Sequence, residues 1–340
     1  MLSDFLQEAF HRFSGNFTSR SEQTTLDSAC AISLDQAVDF VVNETSSRLR
    51  AIPKCAQQLE KAIVSSFKYI DELVEQVPGV IPCGRSTFGE DPRVNAFFVN
   101  YNHLQEVFSQ SKEVRELFTS NSTISECYAL LCMHREERQR FGIELVGDEV
   151  HRDVMQTTVS FSDHQIVSPG VNEADSRCAL KCCIFRSLIG YIHGEIAKAA
   201  DLNINLLNRK SILHSRLKRL EDQHLTSTYR ENLSLQIDAV DKEIQNMEPR
   251  LISLQDQLQF VTDALTHPEQ FLSAETHTIY LSRLGIKQRN TSTGSGRELS
   301  LAEIQVANRQ PRVAALVCFS REELLPEKDF LHEANIFLIQ

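Results

Sequence analysis

The residues best suited to chemistry in this chain are His151, Asp153, Asp163 and His164. Imidazole and carboxylate together can hold a hydrolytic metal, or act as a base and the group that orients it. A β-hairpin over this region could gather the four, which gives one alternative reading, a metal-assisted hydrolase. Two things weigh against it: strand alternation sends Asp163 and His164 to opposite faces, and turns carry polar residues for ordinary backbone reasons. No metal site is favoured and no cofactor is indicated.

Cysteine offers less. Cys178, Cys182 and Cys183 form C-x-x-x-C-C, which on a helix puts the first two one turn apart on one face. A structural zinc site needs four ligands, and no second pair stands at comparable spacing. Cys127, Cys132 and His134 also lack a ligand spacing, so buried inert thiols are the simpler expectation. His134-Arg135-Glu136-Glu137 reads as a solvated helix end, and His193-Gly194-Glu195 is not the zinc-binding H-E-x-x-H. Gly294-Ser295-Gly296-Arg297 lacks the lysine and leading glycine of a phosphate loop and reads as a linker. There is no catalytic signature.

The elements that must position these residues are mostly helical in pattern. From Ile237 to Leu265 apolar residues recur three and four apart, and from Phe185 to Leu220 they recur every seventh position. Both are the seam period of paired helices. A short polar turn near 221–227 makes the arms antiparallel. Arg209, Lys210, Arg216, Lys218 and Arg219 then face Glu231, Asp238, Asp241 and Glu243. Pro249 falls away from the seam and should only kink the second arm.

Ahead of this hairpin, Ser33 and Gln36 form a capping box for a helix to about Ala51. A second helix runs from Pro53 to Val77, and helical spacing returns from Phe97 to Leu131, which together read as a bundle. Short alternation at 141–146, 157–161, 277–284 and 313–319 predicts strands, with a possible last one at 335–338. The expected fold is α+β and predominantly α-helical: an N-terminal helical bundle, a small mixed β region and a long antiparallel coiled-coil helical hairpin. The expected divisions are 1–30 (short helix and linker), 31–140 (bundle), 141–184 plus 268–340 (α+β), and 185–267 (inserted hairpin).

The 340 residues carry a formal net charge of -11. That acidity argues against nucleic acid as the main partner. The basic run near residues 209–219 is the counter-argument and supplies a second alternative, a nucleic-acid-binding accessory protein. Neither a secretory leader nor a transmembrane run is expected. Nine cysteines without a regular framework suggest reduced thiols in the cytoplasm. The leading expectation is a non-enzymatic interaction or scaffold protein, associating with itself or a protein partner. Its contact residues would be Leu213, Leu217, Leu220 and Leu225, with Arg216 and Arg219 selecting an acidic partner.

Overall fold

A computed structural model describes residues 33–146, 149–221, 227–246, 253–282, 284–288 and 297–326. The N-terminal segment to residue 32, the turn with Leu225, Pro249, the Gly294–Gly296 loop and the segment at 335–338 lie outside the described residues.

The first elements follow from local sequence rules. Helix α1 (Leu34–Thr45) starts as the spacing requires: the Ser33 hydroxyl accepts from the Gln36 amide at 3.2 Å, and the Gln36 side chain accepts from the Ser33 amide at 3.1 Å. Ser46 is extended, so the continuation to Ala51 is a separate 3-10 turn. Helix α2 (Cys55–Glu75) buries Leu59, Ile63, Ile70 and Val74, one apolar stripe. Strand β1 (Ile81–Cys83) and four short helices follow: α3 (Arg85–Glu90), α4 (Pro92–Phe97), α5 (Tyr101–Gln110) and α6 (Lys112–Ser120). Asp91, Asn100 and Ser111 cap the last three.

The core is built on a sheet. Strands β2 (Glu126–Val146) and β3 (Glu149–Gly170) form a long hairpin, and β4 (Leu272–Leu281), β5 (Lys287–Gln288), β6 (Arg297–Val306) and β7 (Arg312–Ser320) complete it. The order is β3-β2-β7-β6-β4-β5, all antiparallel, with β1 added parallel to β7. The two ends of this order almost meet. Thr158 of β3 bridges Ile286, and the Val159 amide donates to the Gly285 carbonyl at 2.8 Å, so the sheet curls into a nearly closed barrel. Gly285 has φ +72, and a Cβ there would lie 2.9 Å from the Val159 carbonyl. The closure therefore depends on glycine.

Alternation along β7 divides the interior in two. Val313, Ala315, Val317 and Phe319 face one cluster with Phe97, Phe98, Leu104 and Phe108 of the short helices. Ala314 and Leu316 face the other, shared with α1, α2 and the later helices. Helix α7 (Glu173–Glu221) begins where the Asn172 side chain accepts from the Asp175 amide. Its root, including Leu188 and Ile192, is buried in the second cluster. Phe185 sits beside Phe40 of α1 and Phe67 of α2, with ring centroids 6.2 and 4.8 Å away. Each such side chain contributes about 1.5–3 kcal/mol of burial.

Four expectations are corrected. The N-terminal helices are not a bundle of their own: they pack on both faces of the sheet. The β region is not small, since it has seven strands. Residues from Glu126 onward form a strand where helical spacing was read, because β2 buries Cys127, Ala129, Leu131 and Met133 on one face and Leu130 between half-buried Tyr128 and Cys132 on the other, which blurs the alternation. Finally, the long hairpin is not observed. The second arm divides into α8 (Ser227–Asn246) and α9 (Leu254–Thr266). Helix α9 belongs to the main core, where the Ser66 hydroxyl of α2 donates to the Leu265 carbonyl at 2.6 Å. Only a distal stretch of α7 packs on α8, through Leu206, Leu213, Leu233, Ile237 and Val240.

Candidate functional site

The four candidate residues are all on β3, but the strand is extended. At about 3.3 Å per residue, the ten to thirteen residues between them set His151 and Asp153 roughly 30–40 Å along the strand from Asp163 and His164. His151 is exposed, with Glu149 at 3.8 Å. Asp163 accepts from the Arg312 guanidinium at 2.6 Å. The structure does not bring the four together. Among the described residues, no group of three His, Cys, Asp or Glu side chains is placed to hold a metal.

Backbone geometry explains the two aspartates. The β2–β3 register shifts at Gly142/Glu144, Cys132/His134 and Tyr128/Leu130. On β3 these shifts fall at Asp153, Asp163 and Ser168, with φ of 59, 53 and 46. Each is an extra residue in a β-bulge, and Asp tolerates the left-handed region better than most side chains. Both substitutions lose the part-exposed Arg312 pair, worth about 0–1 kcal/mol; Asp163→Gly should cost no more than that, whereas Asp163→Val should cost about 1–3 kcal/mol beyond it through backbone strain. Urea melts of both variants check this; equal losses would contradict a backbone role.

His164 is part of an aromatic corner. Its Nε2 lies 2.7 Å from the Phe97 carbonyl, its ring stacks on Phe98 at 5.3 Å, and His103 meets it edge-on at 5.0 Å. Burial holds this imidazole below its ordinary value; the Phe97 carbonyl pulls the other way and His103 adds to the depression. The folded chain therefore binds fewer protons than the unfolded one between the two values. This contribution is complete above about pH 6.5 and is lost as pH falls from there through the folded value. Thermal melts between pH 7.5 and 5, in steps of about half a unit, should show this loss. His164→Gln should flatten that part of the curve, and an unchanged slope would exclude His164 as its source.

A buried charge cluster went unnoticed in the sequence. Glu303 of β6, 8% exposed, accepts from the Arg135 Nε of β2 at 2.6 Å. His277 of β4 places its Nε2 3.6 Å from Glu303 and 3.2 Å from Glu275. Arg135 also reaches Glu137, which pairs with Lys287. The cluster ties β2, β6, β4 and β5 together on the side that carries Leu299 and Leu301. Its only sequence signal is an acid where an alternating apolar position is due.

The cysteines are mostly packing. Cys178 is disulfide-bonded, which removes it from any thiolate pair with Cys182. The seven other described cysteines are free. Burial pushes Cys127 and Cys183 up to about 12 and Cys132 up to about 11, so they are thiols at neutral pH.

Of the expected contact residues, Leu213 is 6% exposed against α8 and Leu217 is half-buried there. Arg216 and Arg219 are exposed. The side chain of Leu220 and all of Leu225 lie outside the described residues. Lys210 pairs with Asp241 at 2.5 Å and Arg209 approaches Glu243 at 4.0 Å. The opposite side of distal α7 is apolar as well. Steps of three and four residues align Ala197, Ala200, Ile204, Leu207, Ser211 and Ser215. Ile204 is 55% and Leu207 50% exposed, and Ile212 flanks them, exposed too. No charged residue falls on this stripe.

No family model, curated protein or solved structure matches the chain. Among the described residues, no helix is long and apolar enough to cross a membrane.

Proposed function

We propose that this chain is a non-enzymatic association protein that pairs with a second copy of itself through the outward stripe of α7. The observation that carries the reading is that Ile204, Leu207 and Ile212 are exposed on a helix whose other side is already occupied by α8. An uncharged apolar stripe exposed along one helix face is a candidate contact surface.

The stripe is also self-complementary, as a two-fold contact demands. With a second α7 antiparallel and centred between Ile204 and Asn208, Ala200 lies opposite Ile212 and Ala197 opposite Ser215. Ile204 then lies opposite Asn208 and Leu207 opposite Asn205, so each of these opposed pairs is uncharged. An antiparallel arrangement also directs the two sheet-bearing bodies to opposite ends. Arg216 and Arg219 remain at the rim, where they tune partner choice more than affinity. The working compartment is the cytoplasm: seven free described cysteines support it, and the disulfide at Cys178 is the one observation against.

Sedimentation of Ile204→Asp/Leu207→Asp beside the unmodified chain tests the contact. The unmodified chain should sediment as two copies at high concentration and the variant as one. A two-copy variant that is folded by circular dichroism would refute this face.

A further inference from the structure

A cavity of about 240 Å³ opens where the sheet fails to close, between helix α4 and strands β3, β4 and β6. Its position follows from the fold. Among the described residues, strand β3 pairs with the opposite edge through the Thr158–Ile286 bridge and the Val159–Gly285 hydrogen bond, with no longer ladder beside them. Asp91 caps α4 and Pro92 starts it, which sets Phe97 over the gap. Phe97, Phe161, Leu281 and Leu299 form an apolar floor, all drawn from the cluster inside the barrel.

Above that floor the lining is polar, with Asn95, Ser160 and Ser282 beside a single described charge. Arg297, at the start of β6, borders the cavity half-buried and has no ion-pair partner among the described residues. Among the described residues, no carboxylate borders it. Every other half-buried arginine named above faces a carboxylate: Arg135 faces Glu303, and Arg312 faces Asp163. An apolar floor with a few polar side chains and one orienting cation is a usual form of a small-ligand site.

We infer that this cavity binds a small monocarboxylate with an aromatic or branched apolar body, its carboxylate on Arg297 and its body against Phe97 and Leu281. The planar guanidinium matches a carboxylate with two parallel hydrogen bonds. A phosphate dianion would find only one cation here. At 240 Å³ the volume lies below the range of drug-sized pockets, which limits the ligand to about one ring.

The test uses the full chain with benzoate and phenylacetate as probes, and with benzyl alcohol and inorganic phosphate as comparisons, read by calorimetry and thermal shift. Saturable binding of at least one acid is expected, about tenfold or more tighter than the alcohol, since hydrogen bonds to a charged group are worth that ratio or more. Arg297→Gln should remove the acid's advantage without changing the melting temperature of the free protein, and Arg297→Lys should restore part of it. Ala96→Phe, which fills the cavity from α4, should abolish binding of both. Equal affinity for acid and alcohol, full binding by Arg297→Gln, preference for phosphate, or no saturation by about 10 mM of either acid would each overturn the assignment.

Discussion

Arg135→Met is expected to lower the unfolding free energy by about 3–5 kcal/mol, among the largest losses any single substitution here should give. The reason lies with its partner. Glu303 is 8% exposed and its carboxylate receives the Arg135 guanidinium at 2.6 and 3.3 Å. Removing the cation leaves a buried anion with only His277 nearby at 3.6 Å. The double variant Arg135→Met/Glu303→Met should recover most of the loss, because two apolar side chains of similar length remove both charges together. Denaturant melts of the two singles and the double give the coupling. If the double is as unstable as Arg135→Met alone, the cluster acts through packing, and the electrostatic account of these strands is wrong.

Leu188→Ala should cost about 2–5 kcal/mol, the range for emptying a fully buried leucine site. Leu188 lies where the root of α7 packs among α1, α2 and the sheet, so its loss is felt by the whole fold. Leu206→Ala offers the contrast. It removes a leucine of similar burial from the distal contact with α8, which involves only a handful of apolar residues. Its expected effect is local: faster amide exchange in distal α7 and in α8, with the main unfolding transition little moved. A large drop in global stability from Leu206→Ala would mean that the distal pair is integral to the core.

How far the sequence reaches into this fold depends on how many faces each element buries. Helices α1 and α2 bury one stripe each, so their apolar spacing and the Ser33–Gln36 box are readable. Strand β7 is readable through its run of β-branched and small residues. Strand β2 is not, since Ala129, Leu130 and Leu131 are successive and all buried, with neither period visible. Nor is β6, where Leu299 and Leu301 serve one cluster and Ala302 and Ile304 the other. The seam residues of α7 and α9 misled for a related reason. Leu258, Val261 and Leu265 keep helical spacing because they pack on α2, and spacing alone does not say which helix fills the groove.

The candidate site shows the same limit. Asp153 and Asp163 looked like ligands, but their side-chain chemistry is incidental to a backbone need at two bulges. Glu303 is informative only beside Arg135 and His277, which come from strands distant in sequence. The outward stripe of α7 was present in the sequence throughout. It becomes legible as a free face only once α8 is seen to occupy the other side.

The central claim is that two copies of this chain meet through that stripe, and light scattering behind size exclusion tests it most directly. The unmodified chain should be loaded from about 10 to 500 µM, the range in which a weak two-fold contact forms. A mass rising from that of one 38.6 kDa chain toward twice that value is the expected result. A single-chain mass at every concentration, from protein that is folded throughout, would contradict it.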